Sequence, residues 1–147
     1  MKRRLWLLLL AAIVVLALLL YPSSQCHVSN TDLAFSPLKT FVIPVEQGYT
    51  VGFSFNVTNR ASCEVSARTI HVVLRGVTYA GGNETAQTSD ETDPLSSVVP
   101  AGGTALFSYT FTSYFTYRPT KLDVRVEMTF AEAEPALVFN GELALLG

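Results

Sequence analysis

Along most of the chain, apolar and polar residues alternate one by one. In residues 50–58, Val51, Phe53, Phe55 and Val57 are apolar, while Thr50, Gly52, Ser54, Asn56 and Thr58 are small or polar. Residues 104–112 repeat the pattern, with Ala105, Phe107, Tyr109 and Phe111 set against Thr104, Ser108, Thr110 and Thr112. Residues 120–130 are the cleanest case. Leu122, Val124, Val126, Met128 and Phe130 face one way; Lys121, Asp123, Arg125, Glu127 and Thr129 face the other. A period of two, rich in β-branched and aromatic residues, predicts half-buried strands. The same reasoning predicts a strand at 66–77 with Ile70, Val72 and Leu74 inward, and one at 39–45 with Phe41 and Ile43 inward. Short strands are expected at 33–36, 95–99 and 137–145, and the polar stretch 81–94 is expected to be a mobile loop.

Turn-forming clusters separate these runs: Asn59-Arg60-Ala61-Ser62, Gly81-Gly82-Asn83, Pro100-Ala101-Gly102-Gly103, Arg118-Pro119 and Glu134-Pro135. Seven or eight strands, each with one apolar face, cannot bury those faces in a single open sheet. Two sheets packed face to face can. The expected fold is therefore all-β, an immunoglobulin-like antiparallel β-sandwich of seven to eight strands, with a closed barrel as the alternative.

The first twenty residues break the pattern. Lys2, Arg3 and Arg4 precede sixteen consecutive apolar residues, 5–20, the arrangement of a secretory signal or signal-anchor. Tyr21-Pro22-Ser23-Ser24-Gln25-Cys26 follows, without an A-x-A-like cleavage site. With Tyr21 and Pro22 as interfacial flanks the run approaches the span of about 20 residues that a bilayer needs. An uncleaved hydrophobic helix is favoured over a cleaved signal. The positive-inside rule then keeps the cations in the cytoplasm and sends the rest outside. This divides the chain into 1–25, anchor or signal, and 26–147, an extracytoplasmic domain.

Charge divides the same way. Residues 22–147 hold seven Lys/Arg against twelve Asp/Glu, a net −5, with no clustered cationic face, so nucleic acid is excluded as a partner. Outside the cytoplasm the two cysteines, Cys26 and Cys63, most simply pair, closing a loop worth about 3–4 kcal/mol by chain entropy. Two unpaired thiols are the other reading. Two N-x-Ser/Thr sequons, at Asn56 and Asn83, fall on positions expected to be exposed, so both are candidate glycosylation sites.

Candidate chemistry is sparse. His27, His71, Cys63 and Met128 are the soft ligands a copper site would need, but they are scattered along the chain. Glu84, Asp90, Glu91 and Asp93 are acidic without the spacing of a calcium loop. Lys121, Asp123, Arg125 and Glu127 alternate in sign along one strand face, as solvated cross-strand ion pairs do. No nucleophile elbow or phosphate loop occurs. No metal, no cofactor, no small-molecule substrate and no enzymatic activity are expected. Tyr114, Phe115 and Tyr117 stand in a connection, where packing is favoured over an exposed contact patch.

The order of features, Phe53 to Asn59-Arg60, then Ile70, Val72 and Leu74, then Val99-Pro100-Ala101-Gly102-Gly103-Thr104, resembles the water-stress/hypersensitive-response domain of the late-embryogenesis-abundant family. That resemblance covers roughly residues 35–145. It implies a small β-sandwich behind a single membrane anchor, without catalytic residues. Archaeal pilus and archaellum components are similar in layout, although their processing site is absent where Leu5 follows Arg4. The expected function is a non-enzymatic, membrane-anchored structural or protein-binding module of the cell envelope. It would contact other envelope proteins or itself, and the membrane through residues 5–21. The alternative is a secreted filament subunit joined by strand addition, with residues 28–38 as the donor.

Overall fold

The structure is a computed structural model that describes residues 11–16, 26–80, 82–143 and 145. Residues 11–16 are helical; the rest of the predicted apolar segment 5–20 lies outside the described residues. No helix among the described residues is long and apolar enough to cross a membrane. From Val28 onward the chain is strand: β1 (Val28–Ser29), β2 (Leu33–Phe35), β3 (Lys39–Val45), β4 (Gly48–Asn59), β5 (Val65–Ala80) and β6 (Asn83–Pro94). Then come β7 (Val98–Val99), β8 (Thr104–Thr110), β9 (Lys121–Phe130), β10 (Ala133–Glu134) and β11 (Leu137–Leu143). A single 3-10 turn, Asn30–Asp32, joins β1 to β2. It is held by a capping box in which Ser29 and Asp32 satisfy each other's backbone N–H groups.

The predicted all-β class is what the structure shows. One sheet runs β11-β9-β5-β6, with β7 pairing the start of β5; the other runs β2-β4-β3, with β8 on the opposite edge of β4. Both are antiparallel, and only the short β1-β10 pair is parallel. The two sheets face each other across one hydrophobic core, which the period-two pattern dictates. From β4 and β8 come Phe53, Phe55, Phe107 and Tyr109; from β5 and β9 come Ile70, Val72, Leu74, Val124, Val126 and Met128, all buried. The rings of Phe53 and Tyr109 stack at 5.6 Å, as do those of Phe55 and Phe107, and Phe35 meets Phe55 edge-on at 4.9 Å. Each such pair adds about 0.5–1.5 kcal/mol beyond the area it buries.

Two expectations are corrected. Residues 83–94 are a strand, paired with β5 along its length from Ala80↔Asn83 to Thr69↔Pro94. This strand is an outer edge and no residue of it is fully buried, so it carries no apolar period to read. Its carboxylates and threonines suit an edge that must not recruit another chain. In β3 the faces are reversed. Thr40 is buried opposite Phe53, whereas Phe41 is 40% exposed and lies over Gly52 on the outer face. The two-residue connection at 46–47 pairs Val45 with Gly48 and thereby fixes this register; a slip of one residue would invert every side chain.

One end of the sandwich is closed by Phe115. It is buried, and its backbone exchanges hydrogen bonds with Tyr49, N to O at 2.7 and 2.8 Å. Its ring lies where a side chain on Gly76 would sit, while its carbonyl occupies the space beside Gly48, whose φ is +144°. The larger sheet thus makes room for its ring and the smaller sheet for its backbone. Gly76→Ala should cost about 1–3 kcal/mol by overpacking, and the penalty should shrink in a Phe115→Ala background. Urea unfolding of the four proteins of that cycle measures it; additive costs would show that ring and glycine do not share the space.

Candidate functional site

At the end opposite Phe115, the chain enters beside the turn after β4. Cys26 and Cys63 meet there with Cα atoms 6.4 Å apart, within the range a disulfide bridges. Asn59, fully buried, organises the same turn. Its Nδ2 donates to the carbonyls of Cys63 (2.8 Å) and Val99 (3.3 Å), and its Oδ1 accepts from Ala61 N at 2.9 Å. Next to it Glu132 accepts from Ser66 N at 2.7 Å and from Ser66 Oγ at 3.2 Å, fixing the corner before β10.

The two sequons are both exposed but differ in setting. Asn56 is in the middle of β4, opposite Leu106 of β8. Asn83 opens β6 at the tip of the β5-β6 hairpin.

The residues weighed as metal ligands are dispersed. Met128 is in the core, Cys63 faces Cys26, and His27 lies at the end where the chain enters. His71 is on the outer face of the larger sheet, its Nε2 2.8 Å from Asp90 Oδ1. Among the described residues no three His, Cys, Asp or Glu side chains converge in a way that would hold a metal ion. The acidic set is split by the pleat of β6. Asp90 turns outward to His71, whereas Glu91 turns toward the other sheet, and Glu84 lies near the hairpin tip beside Tyr79. The sign-alternating row of β9 pairs with its neighbours, Arg75 with Asp123 at 3.8 Å and Lys121 with Glu142 at 3.2 Å. The aromatic connection divides: Phe115 packs, while Tyr114 and Tyr117 are exposed.

Sequence reasoning weighed Glu91 only as a calcium ligand and missed its role as the most densely bonded polar group. Its carboxylate accepts from the backbone N–H groups of Thr112 and Ser113 (each 3.1 Å), from their hydroxyls (each 2.9 Å) and from Tyr109 OH (3.0 Å). Ser89 Oγ also donates to it at 3.3 Å and contacts Ser113 Oγ. From the facing side Thr50 Oγ1 reaches the carbonyls of Phe111 (2.8 Å) and Ser113 (3.0 Å). Residues 111–113 are therefore held at both their donors and their acceptors. This is a clasp between the two sheets at an open side of the sandwich, and its geometry is structural: the anion-binding N–H pair is filled by the chain's own carboxylate. The only sequence signal was its charge, one of four carboxylates in residues 84–93, which says nothing of its partners.

Burial raises the Glu91 carboxyl pKa, but the backbone and hydroxyl donors of Thr112 and Ser113 outweigh it and lower the value from 4.5 to about 2. Burial, with the neighbouring carboxylates of Asp93 and Glu91, pushes the Tyr109 phenol well above its ordinary range.

The class defined so far is an all-β, two-sheet protein with a clasped open side. No family model matches the chain, and no curated protein matches it. Among solved structures, the X-ray structure of a structural-genomics target, SoR45, superposes with a TM-score of 0.50 at 11% identity, over 78% of this chain and 88% of its own. The sporulation control protein Spo0M of Bacillus subtilis gives 0.40 at 12% identity, over 76% of this chain and 50% of its own. A Bordetella pertussis protein described as ApaA gives 0.39 at 15% identity, over 77% and 89%. The first of these shows a shared fold and nothing of activity.

Because the folded pKa of Glu91 lies below its unfolded value, its contribution is complete above pH about 4.5 and is lost as pH falls through about 2. Glu91→Gln should cost about 1–2 kcal/mol at neutral pH, after allowance for solvent screening of this half-buried group. The gap between variant and parent should close between pH 4.5 and 2 in chemical unfolding; a gap independent of pH would assign the cost to packing.

Proposed function

We propose that the chain is a membrane-anchored, extracytoplasmic β-sandwich serving as a structural or protein-binding module of a cell envelope, without catalytic activity. The observation that carries this reading is the meeting of Cys26 and Cys63. Cys26 comes a few residues after the apolar run 5–20, and in an oxidising exterior such a pair closes into a disulfide. The bond would tie the segment leaving the membrane to the body of the domain. Ile13, Val14, Val15 and Leu16 are each more than half exposed, apolar surface that lipid would cover.

The order of strands supports the immunoglobulin-like assignment. β3, β4 and β8 form one layer and β11, β9, β5 and β6 the other, with the chain crossing between layers after β4, β7 and β8. The likeness to the water-stress/hypersensitive-response domain belongs to the same reading, since its stretches become β4, β5 and the turn from β7 to β8. The alternative, a secreted filament subunit, draws on β3, an apolar strand at an open edge.

The test is to extract the native protein in mild detergent and measure its intact mass and particle size. A chain beginning near Met1, lighter than the reduced mass by two hydrogens, is the expected result. A chain beginning near Cys26 in the medium, or one with two free thiols, would overturn it. In the same protein, Cys63→Ala should lower the unfolding free energy by about 3–4 kcal/mol.

A further inference from the structure

The outer faces of the two sheets are chemically unlike. The larger sheet displays His71, Arg75, Asp123, Arg125 and Glu127, while the strands of the smaller sheet, β2, β3, β4 and β8, contain one charged residue, Lys39. The rest of that outer face is Ser, Thr, Asn56 and apolar residues. On its edge strand β8 is Leu106, 68% exposed, the most exposed large hydrophobic side chain among the described residues. Directly opposite Leu106 stands Asn56, the acceptor of an Asn-Val-Thr sequon. Asn56 and Leu106 line one side of a recess of about 200 Å³, completed by Ser36, Pro37, Lys39 and Ser54.

We propose that Asn56 carries an N-linked glycan whose first sugar occupies this recess and covers the outer face of the smaller sheet. The proposal rests on the extracytoplasmic reading. In the transfer, Asn56 Nδ2 displaces the phosphate of a lipid-linked oligosaccharide at the anomeric carbon. A C–N bond replaces a C–O bond, and one amide proton passes to the transferase. The recess suits a sugar on two counts. A pyranose ring has an apolar C–H face to lay against Leu106 and Pro37, and hydroxyls to meet Ser36, Ser54 and the Lys39 ammonium. The backbone of Asn56 is fixed, its N–H donating to Ser36 Oγ and its carbonyl accepting from Ser36 N, each at 2.8 Å, so the sugar is held close to the sheet. Asn83, at a hairpin tip among exposed neighbours, offers no such seat. The glycan explains why an exposed leucine stands on a sheet face with almost no charge to keep it soluble.

The full chain is expressed in a eukaryotic secretory line and mapped at peptide level. Maleimide labelling of Leu106→Cys is then timed with and without Asn56→Gln, using Thr92→Cys on the other sheet as control. The expected result is a glycan on Asn56 and labelling of L106C about ten-fold slower than in the doubly substituted protein, with T92C unchanged. A glycan on Asn83 with none on Asn56 would overturn the inference and leave the extracytoplasmic reading standing. No glycan on either would overturn both. A glycosylated Asn56 with equal labelling rates at L106C would overturn the covering role.

Discussion

The aromatic layer on the inner face of β4 is what the rest of the structure is built around. β4 is the one strand of its sheet paired on both edges, and its inward residues Val51, Phe53, Phe55 and Val57 are all buried. Phe53 and Phe55 stack on each other at 5.9 Å and on Tyr109 and Phe107 of β8. Through Phe35, this layer also reaches Phe139 of β11 in the opposite sheet at 6.2 Å. Ring stacking at these distances fixes which residue of β8 lies beside which residue of β4, and so the register of the whole smaller sheet. Removing one ring would leave its stacked partners facing a void, at a cost of about 3–5 kcal/mol for a phenylalanine.

Large rings in the core leave the sandwich open at its ends and sides, and three different devices close it. One end receives Phe115, admitted by glycines in both sheets. At the other, Asn59 spends its amide on the carbonyls of Cys63 and Val99, while Cys26 faces Cys63. The open side is closed by Glu91, a carboxylate that costs desolvation but gathers six neighbouring donors. The polar devices are buried or half-buried and well satisfied, which is the condition under which such groups specify a structure rather than weaken it. Thr40 departs from this rule; its hydroxyl is buried without a hydrogen-bond partner, and nothing in the structure explains it.

Alternation made most of the fold legible from the chain alone, because each legible strand has one wet and one dry face. β9 was readable to within a residue, since Leu122 to Phe130 mark the dry face without a break. β6 was not, because an edge strand wetted on both sides keeps its backbone pairing and loses the pattern. β3 misled for a different reason. Its apolar residues occur on both faces, so the turn at 46–47 and not hydrophobicity decides that Thr40 goes inward. The sequons were visible as motifs, but that Asn56 faces Leu106 and Asn83 does not required strand pairing between segments fifty residues apart in sequence. Glu91 was weighed as a calcium ligand because sequence supplies its charge but not its partners. Those partners lie about twenty residues away, on a segment that arrives only when the sheets have packed.

The pairing of the first strands bears on how such a domain could assemble. Strand addition through residues 28–38 needs that segment free, yet β1 pairs with β10 and β2 with β4 of the same chain. Val28 is fully buried and Leu33 is 5% exposed. Withdrawing both from the core would cost about 1.5–3 kcal/mol for each side chain before any ladder is re-formed. A donor could recover that only by entering an equivalent place in a neighbour. Cys26 opposite Cys63 works against the exchange, because a bond there would hold the start of the segment to its own domain. The receiving edge is also imperfect. β3 is apolar, but Pro44 has no N–H to offer a new ladder. Both donor and acceptor are thus biased toward pairing within one chain, which favours a tethered module that meets its partners through side chains over a subunit that shares its strands.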